Sequence, residues 1–450
     1  MVESVGKGKR VAPALLVLFV FGLSLYANLS FLAPRPGALR FFPPFRAGVD
    51  VNFNLHLGAE YLNIARALAA GKGFSNPFQV ESGPTAWMPP VYPALLAALL
   101  LLFGSPPGVA AAVVLAKNAV LVATGLLVLH AARESAQRAP PALALVGYAA
   151  WLLCHFAWFF QMTHDEWLIL LCVDLCLLGA WRLSREGSRG GRALGWGGLG
   201  GLVFLTSPVA GASWLALTAL LARERALRRP LCAAALLALG IASLWSVRNG
   251  VVLGRAYFVK SNLFFDLYQA NFESEGGVYD EPFLARHPVW TAFRDPDSLY
   301  QREGEVAFLD AYRARFLAAA REHPEALASG ALQRLLAATL VYRPYRPASE
   351  GLHPPLASFV HAMPALGLLF LLALRGRRLD PIQRTTALFY AAYLAPYALS
   401  AFYVRYLLPL TPALALLWFW GVDAILERGA GARQREPEAA TGSSSPGETA

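Results

Sequence analysis

Apolar and polar positions alternate along this chain in long blocks, not at the period of two that marks strands. Apolar runs occupy residues 11–32, 108–130, 140–162, 167–183, 194–207, 209–222, 231–247, 356–374 and 385–402, and a last run follows Arg405. Crossing a bilayer takes roughly 20 apolar residues, so the pattern predicts an all-α membrane protein with about ten transmembrane helices. Runs 194–207 and 209–222 are short for spans and read as a glycine-rich pair going through and back. Run 91–103 differs in kind. About 13 residues at ~1.5 Å each cannot cross a ~30 Å hydrocarbon core, so it reads as a juxtamembrane helix.

The polar blocks carry helical periodicity of their own. Across residues 56–70, Leu57, Tyr61, Ile64, Ala65 and Leu68 recur at helical spacing, predicting an amphipathic helix along the membrane surface that Gly71 and Gly73 end. The loop GPTAWMPP follows, stiffened by its prolines, with Trp87 and Met88 placed to face lipid or ligand. A second polar block, residues 248–355, has an apolar stripe within 297–322 that His323-Pro324 stops, then a helix over 325–341 that lies on the membrane. It reads as a helical cap, not a β domain. The organisation is therefore an N-terminal module 1–247 with the loop 33–107, the helical segment 248–355, helices 356–428, and a Gly/Ser/Pro/Ala-rich tail, 429–450, read as disordered.

Composition agrees. The 450 residues are 56% hydrophobic and 15% charged, beyond the roughly 45–50% apolar share of soluble proteins. A net charge of +10 would suggest nucleic acid in a soluble chain. Here the arginines crowd into short links, at Arg133, Arg138, Arg185, Arg192, Arg223, Arg225, Arg228, Arg229, Arg375, Arg377 and Arg378, as in cytoplasmic loops, and no nucleic-acid partner is implied. That bias puts 33–107 and 248–355 outside. Counting 91–103 as a span would turn every such link outward. Run 11–32 is too long for a cleaved signal and ends in LAPRPG, so it reads as a retained first span. Cys154, Cys172, Cys176 and Cys232 lie within apolar runs and suggest packing, not disulfides or metal. Phosphate-loop, dinucleotide, nucleophile-elbow and His-Glu-x-x-His patterns are missing.

The order AEYLNIARALAAGKGF, then PTAWMPPVYPALLAALLLLFG, resembles the first extracytoplasmic loop of bacterial GT-C membrane glycosyltransferases, which include protein O-mannosyltransferases and lipid A aminoarabinose transferases. The resemblance implies a GT-C type bundle in the bacterial inner membrane. It implies sugar transfer from a polyprenyl-phosphate donor to an extracytoplasmic acceptor (glycan, lipid or protein) with inversion, and a catalytic acid in this loop. The family often has an Asp-Glu pair one turn before the tyrosine; here those positions read His56-Leu57. Glu60, beside Tyr61, is the residue that carries over as base, with Asp50 in reserve. Asp165 and Glu166 in THDEW stand where the family has its second acidic motif. They could hold a divalent cation, the one cofactor suggested, or orient the acceptor, or serve as N-terminal helix charges. LWSVRNGVVLGRAYFVKSN and YVRYLLPLTP also resemble family patterns, which implies that Arg248 and Arg405 take up the leaving phosphate. Arg255, Lys260 and Lys72 are further cations for it, and Trp87 and Met88 would hold the polyprenyl chain. Arginine's planar fork suits phosphate oxygens, but each arginine could equally snorkel to headgroups.

Two other function classes share many spans with sparse buried charge. A transporter or flippase would place breaks and charges near the midplane in paired halves; here the polar groups gather toward one face. A non-catalytic envelope scaffold is the third reading, and loss of Glu60 separates it from an enzyme. The deepest charges, Lys117 and Asp174, count to about 12–14 Å below the outer surface and read as an ion pair.

Overall fold

Proline sets many of the helix starts and glycine several of the ends. Pro106, Pro208, Pro324 and Pro381 stand in first turns, where a missing N–H costs nothing. Gly104 and Gly254 close helices in the left-handed conformation at φ 69° and 68°. The computed structural model describes residues 3–28, 39–41, 45–47, 57–155, 157–160, 162–187, 191–274, 276–279, 287–292, 295–343 and 354–441. In chain order these form α1 (Glu3–Ala27), an antiparallel hairpin of β1 (Leu39–Phe41) and β2 (Phe45–Ala47) pairing Leu39 with Ala47, α2 (Ala59–Ala69), α3 (Val91–Phe103) and α4 (Pro106–Ser135). Next come α5 (Ala142–Cys154), α6 (Glu166–Glu186), α7 (Arg192–Thr206), α8 (Pro208–Leu221) and α9 (Arg225–Leu253). Then follow α10 (Leu263–Tyr268), which widens into a π turn over Gln269–Glu273, α11 (Pro288–Thr291), α12 (Leu299–Glu322), α13 (Pro324–Thr339), α14 (Pro354–Arg375) and α15 (Pro381–Leu399). A 3-10 turn, Val404–Leu410, leads into α16 (Thr411–Thr441).

The protein is an all-α membrane protein. Among the described residues, five helical stretches are long and apolar enough to cross a bilayer: Pro106–Ser135, Glu166–Glu186, Arg225–Leu253, Pro355–Arg375 and Val404–Ala430. Shorter apolar helices, Val11–Leu25, Ala142–Cys154 and Pro208–Leu221, occupy other expected runs, and Arg192–Thr206 and Pro381–Leu399 are helical too. α3 occupies the run read as juxtamembrane and stops at Gly104, with Leu101 and Leu102 exposed at its tip.

Small residues let the long helices approach. α7 lies on α9 with Gly197 against the Ala234 backbone and Gly201 against Ile241. α14 crosses α16 where Gly367 meets Gly421; a Cβ at Gly421 would fall 2.4 Å from the Gly367 Cα. At one end of the bundle the arginine-bearing links meet. Buried Asp423 on α16 accepts backbone N–H bonds from Gln137 (2.9 Å), Arg138 (2.7 Å) and Ala139 (2.6 Å), and pairs with Arg375 at 2.8 Å. Arg185 reaches Glu134 at 2.9 Å beside them. α5 carries the chain toward the opposite end, where α2, α10, α12 and α13 gather, and α6 returns from there to the arginine-bearing end.

Three expectations change. Lys117 and Asp174 do not pair. Run 140–162 breaks after Cys154 into a 3-10 turn, Ala157–Phe160, and Lys117 donates to the carbonyls of Phe159 (2.6 Å), Phe160 (2.9 Å) and Met162 (2.7 Å). Asp174 accepts from Thr124 at 2.6 Å, two turns along α4 from Lys117. The last helix runs to Thr441, so the first part of the expected tail is helical, as its run of Arg, Gln, Glu and Ala favours. The helix expected over 56–70 starts later: Leu57 and Gly58 turn the chain at φ 49° and 70°, and His56 lies outside the described residues.

Candidate active site

α2 starts immediately after that turn, which puts Glu60 and Tyr61 in its first turn, half-buried at the end of the bundle away from Asp423. The Tyr61 hydroxyl donates to Asp165 Oδ2 at 2.7 Å, and its ring sits edge-on to Tyr92 of α3 at 5.1 Å. Tyr92 in turn donates to the Thr163 carbonyl. The surface helices are thereby tied to the link that opens α6. Asp165 is the N-cap residue of α6, and Glu166 is its first residue.

Glu166 is buried and faces Arg405, with Oε1 3.2 Å from Nε. Arg405 Nη1 lies 2.8 Å from His164 Nδ1, and the guanidinium rests over the rings of Tyr403 (4.8 Å) and Tyr406 (5.8 Å). Arg334 of α13, fully buried, fixes the segment leading there. It donates to the carbonyls of Ala398 (2.8 Å) and Leu399 (3.3 Å) at the end of α15, and to Asn271 Oδ1 at 2.9 Å. A second cation arrives from the loop after α9, where Lys260 Nζ is 3.9 Å from Asp266 Oδ2.

Electrostatics follow from this crowding. Burial raises the Glu60 carboxyl above its ordinary range, and Asp165 adds to the rise; Arg405 and Lys260 pull it back. Burial likewise raises Asp165, against the Tyr61 hydrogen bond and the charge of Arg405. Burial pushes Asp266 up to about 6, opposed by Lys260 and helped by Glu60. His287 is pushed down to about 3, by burial and then by Lys260 and Arg405, so its ring is neutral. Burial and Asp165 raise the Tyr61 phenol, which stays a donor.

The structure thus brings together Glu60, Asp165, Glu166 and Arg405 from the expected set. Asp50 lies outside the described residues. Trp87 does not face lipid. It is fully buried against Phe78 (4.9 Å), Phe265 (5.3 Å) and Tyr300 (6.2 Å), and Met88 joins the same apolar cluster. The cause is a buried carboxylate, Glu305, which holds Thr85 and the Ala86 N–H and draws the loop inward. Lys72 forms an exposed pair with Glu81, and Arg255 one with Asp310 at 2.8 Å. Arg248 braces the loop from below, donating to the carbonyls of Thr85 (2.7 Å) and Phe74 (3.0 Å) with Trp245 under its plane. A cavity of about 440 Å³ beside it is lined by Leu68, Lys72, Phe74, Pro90, Trp245 and Arg248.

Asp165 accepts from Tyr61 through Oδ2 and Glu166 pairs with Arg405 through Oε1, and no three of His, Cys, Asp and Glu that could hold a metal ion converge among the described residues. Glu305 and Arg334 escaped sequence reasoning because each acts on partners far along the chain, and Asp266 because its nearby contacts, Lys260 and Asn262, do not mark it as part of a site. The tyrosines flanking Arg405 were visible in YVRY as a sign that its guanidinium is stacked.

Fold and site define an all-α membrane protein with an acid and arginine cluster at one end of its bundle. By sequence, no family and no curated protein matches the chain. Among solved structures it is similar to ArnT from Cupriavidus metallidurans bound to undecaprenyl phosphate, at 16% identity over 93% of this chain and 79% of that one, with a TM-score of 0.35.

Proposed function

We propose that the protein is a GT-C type glycosyltransferase of the bacterial inner membrane, moving a sugar from a polyprenyl-phosphate donor to an acceptor hydroxyl on the extracytoplasmic side. One observation carries this reading. At the end of the bundle opposite the arginine-rich links, the first turn of α2 that carries Glu60 is tied through Tyr61 to Asp165 at 2.7 Å, next to the Glu166–Arg405 pair at 3.2 Å, and burial raises the Glu60 carboxyl above its ordinary range. Glu60 takes the proton of the acceptor hydroxyl, whose oxygen attacks the anomeric carbon from the face opposite the phosphate. The bond from that carbon to the phosphate oxygen breaks, and its electron pair leaves with the polyprenyl phosphate. Arg405 and Lys260 receive the charge. Arg405 suits this role because it stands in the acid cluster, 3.2 Å from Glu166 Oε1 and 2.8 Å from His164 Nδ1, and its planar fork can also take a phosphate oxygen.

The test is transfer by the purified protein in nanodiscs, using radiolabelled polyprenyl-phosphate sugars and membrane extract as acceptor source. Glu60→Gln should lower turnover at least ~100-fold, the scale for losing a positioned base, and leave donor binding intact. Because the base must be ionised, wild-type turnover should fall as pH drops through a value above the ordinary glutamate range, and the Gln variant should lack that limb. Near-normal transfer by Glu60→Gln excludes Glu60 from the mechanism.

A further inference from the structure

Glu305 is 4% exposed and follows Gly304, where α12 is broken at φ 84°. Four donors converge on its carboxylate: the Thr85 hydroxyl, the Ala86 N–H at 2.9 Å, the Ser261 hydroxyl at 2.8 Å and the Tyr300 hydroxyl at 3.3 Å. The Ser261 N–H also donates to the Ala86 carbonyl at 2.9 Å. One carboxylate therefore stitches the loop before α3 to the loop after α9. Burying a charge among neutral donors is a costly way to join two loops that apolar contacts could join more cheaply, so its placement calls for a reason.

The reason lies one residue away. Val259 is fully buried at φ 62°, a left-handed conformation that a β-branched side chain resists and that persists only where its surroundings over-determine it. Lys260 stands between this strained residue and the clamped Ser261, with its ammonium near Asp266 and in the field of Glu60. We infer that Glu305 is a positioning residue for Lys260: by clamping Ser261 to the Thr85–Ala86 loop it holds the strained turn that presents the ammonium to the acid cluster. The consequence for phosphate binding rests on the transferase reading above; the clamp itself does not.

The chain's lysines are Lys7, Lys9, Lys72, Lys117 and Lys260, few enough to resolve by NMR after reductive ¹³C-methylation in nanodiscs, with Lys260→Arg assigning the signal. Ser261→Ala and Glu305→Ala should each move the Lys260 methyl signal to the sharp position of a free lysine and leave Lys72 unchanged. Glu305→Gln, whose carbonyl oxygen can keep the Ala86 and Ser261 contacts, should retain the wild-type signal. An unmoved Lys260 signal in Ser261→Ala, a mild change that spares the fold, overturns the inference. The second arm measures binding of labelled undecaprenyl phosphate. Ser261→Ala should weaken it by about 10-fold in the wild type and leave it unchanged in a Lys260→Ala background. Equal losses in both backgrounds would mean general damage and refute positioning. Normal binding by Lys260→Ala itself would sink the phosphate role and leave the NMR arm to judge the clamp.

Discussion

Lys117 illustrates what a single buried charge does here. At the 3-10 turn after α5 an ammonium with three N–H donors meets three backbone carbonyls, with the Phe159 ring 4.9 Å away; the Phe159 carbonyl also accepts from the Met162 N–H at 3.1 Å and the Phe160 carbonyl from Asn28 Nδ2 at 2.9 Å. Asp174 is satisfied separately by Thr124. Lys117→Met should therefore cost roughly 1–3 kcal/mol by removing one donor from each of three carbonyls, and adding Asp174→Leu should give the sum of the single effects within about 0.5 kcal/mol. Chemical unfolding in mixed micelles measures both; a coupling above about 1 kcal/mol would show that the two charges interact after all. Their depths had looked equal because residues were counted from two different helix ends, Gly108 and Glu166. Equal counts place two residues at one level only when the helices start at one level. Here α4 rises from the link after α3, while α6 begins inside the acid cluster.

At the scale of elements, the knot around Asp423 joins α16 to the link between α4 and α5 and to the end of α14. Asp423→Ala removes the acceptor for three N–H groups and leaves Arg375 with Glu427 as its remaining carboxylate partner. Loss of about 3–5 kcal/mol is expected, read as a lowered thermal midpoint. A variant as heat-stable as wild type would contradict this. The elements themselves were legible. Residues 91–103 announced their length and their glycine stop, and the paired short runs around Ser207–Pro208 are the helices expected. The faces of loops were not legible: GPTAWMPP reads the same whether Trp87 meets lipid or Phe78, and what decides is Glu305, some two hundred residues away in sequence. Arg248 shows the same limit, since a cation near a phosphate and a cation bracing two carbonyls share one local sequence. Glu60 and Arg405 were named because a resemblance carried them and Lys260 as an outer cation; of the residues gathered beside them, Asp266 was not legible.

At the scale of the molecule, charge is sorted between the two ends of the bundle. If the arginine-bearing end is cytoplasmic, a cysteine replacing Glu224 should be shielded from an impermeant thiol reagent in intact cells, and one replacing Ser298 should react. A Cys232→Ala background removes the exposed native thiol. Labelling of the Glu224 position from outside would invert the scheme. One further point follows from α3. Near its end Leu101 (72% exposed) and Leu102 (73%) project from the protein, yet its first turns brace Tyr61 through Tyr92. The surrounding fatty chains are thus a structural part of the end that holds the acid cluster, as much as any helix. Micelle extraction removes that support, and the choice of solubilising agent then decides whether α2 keeps its seat.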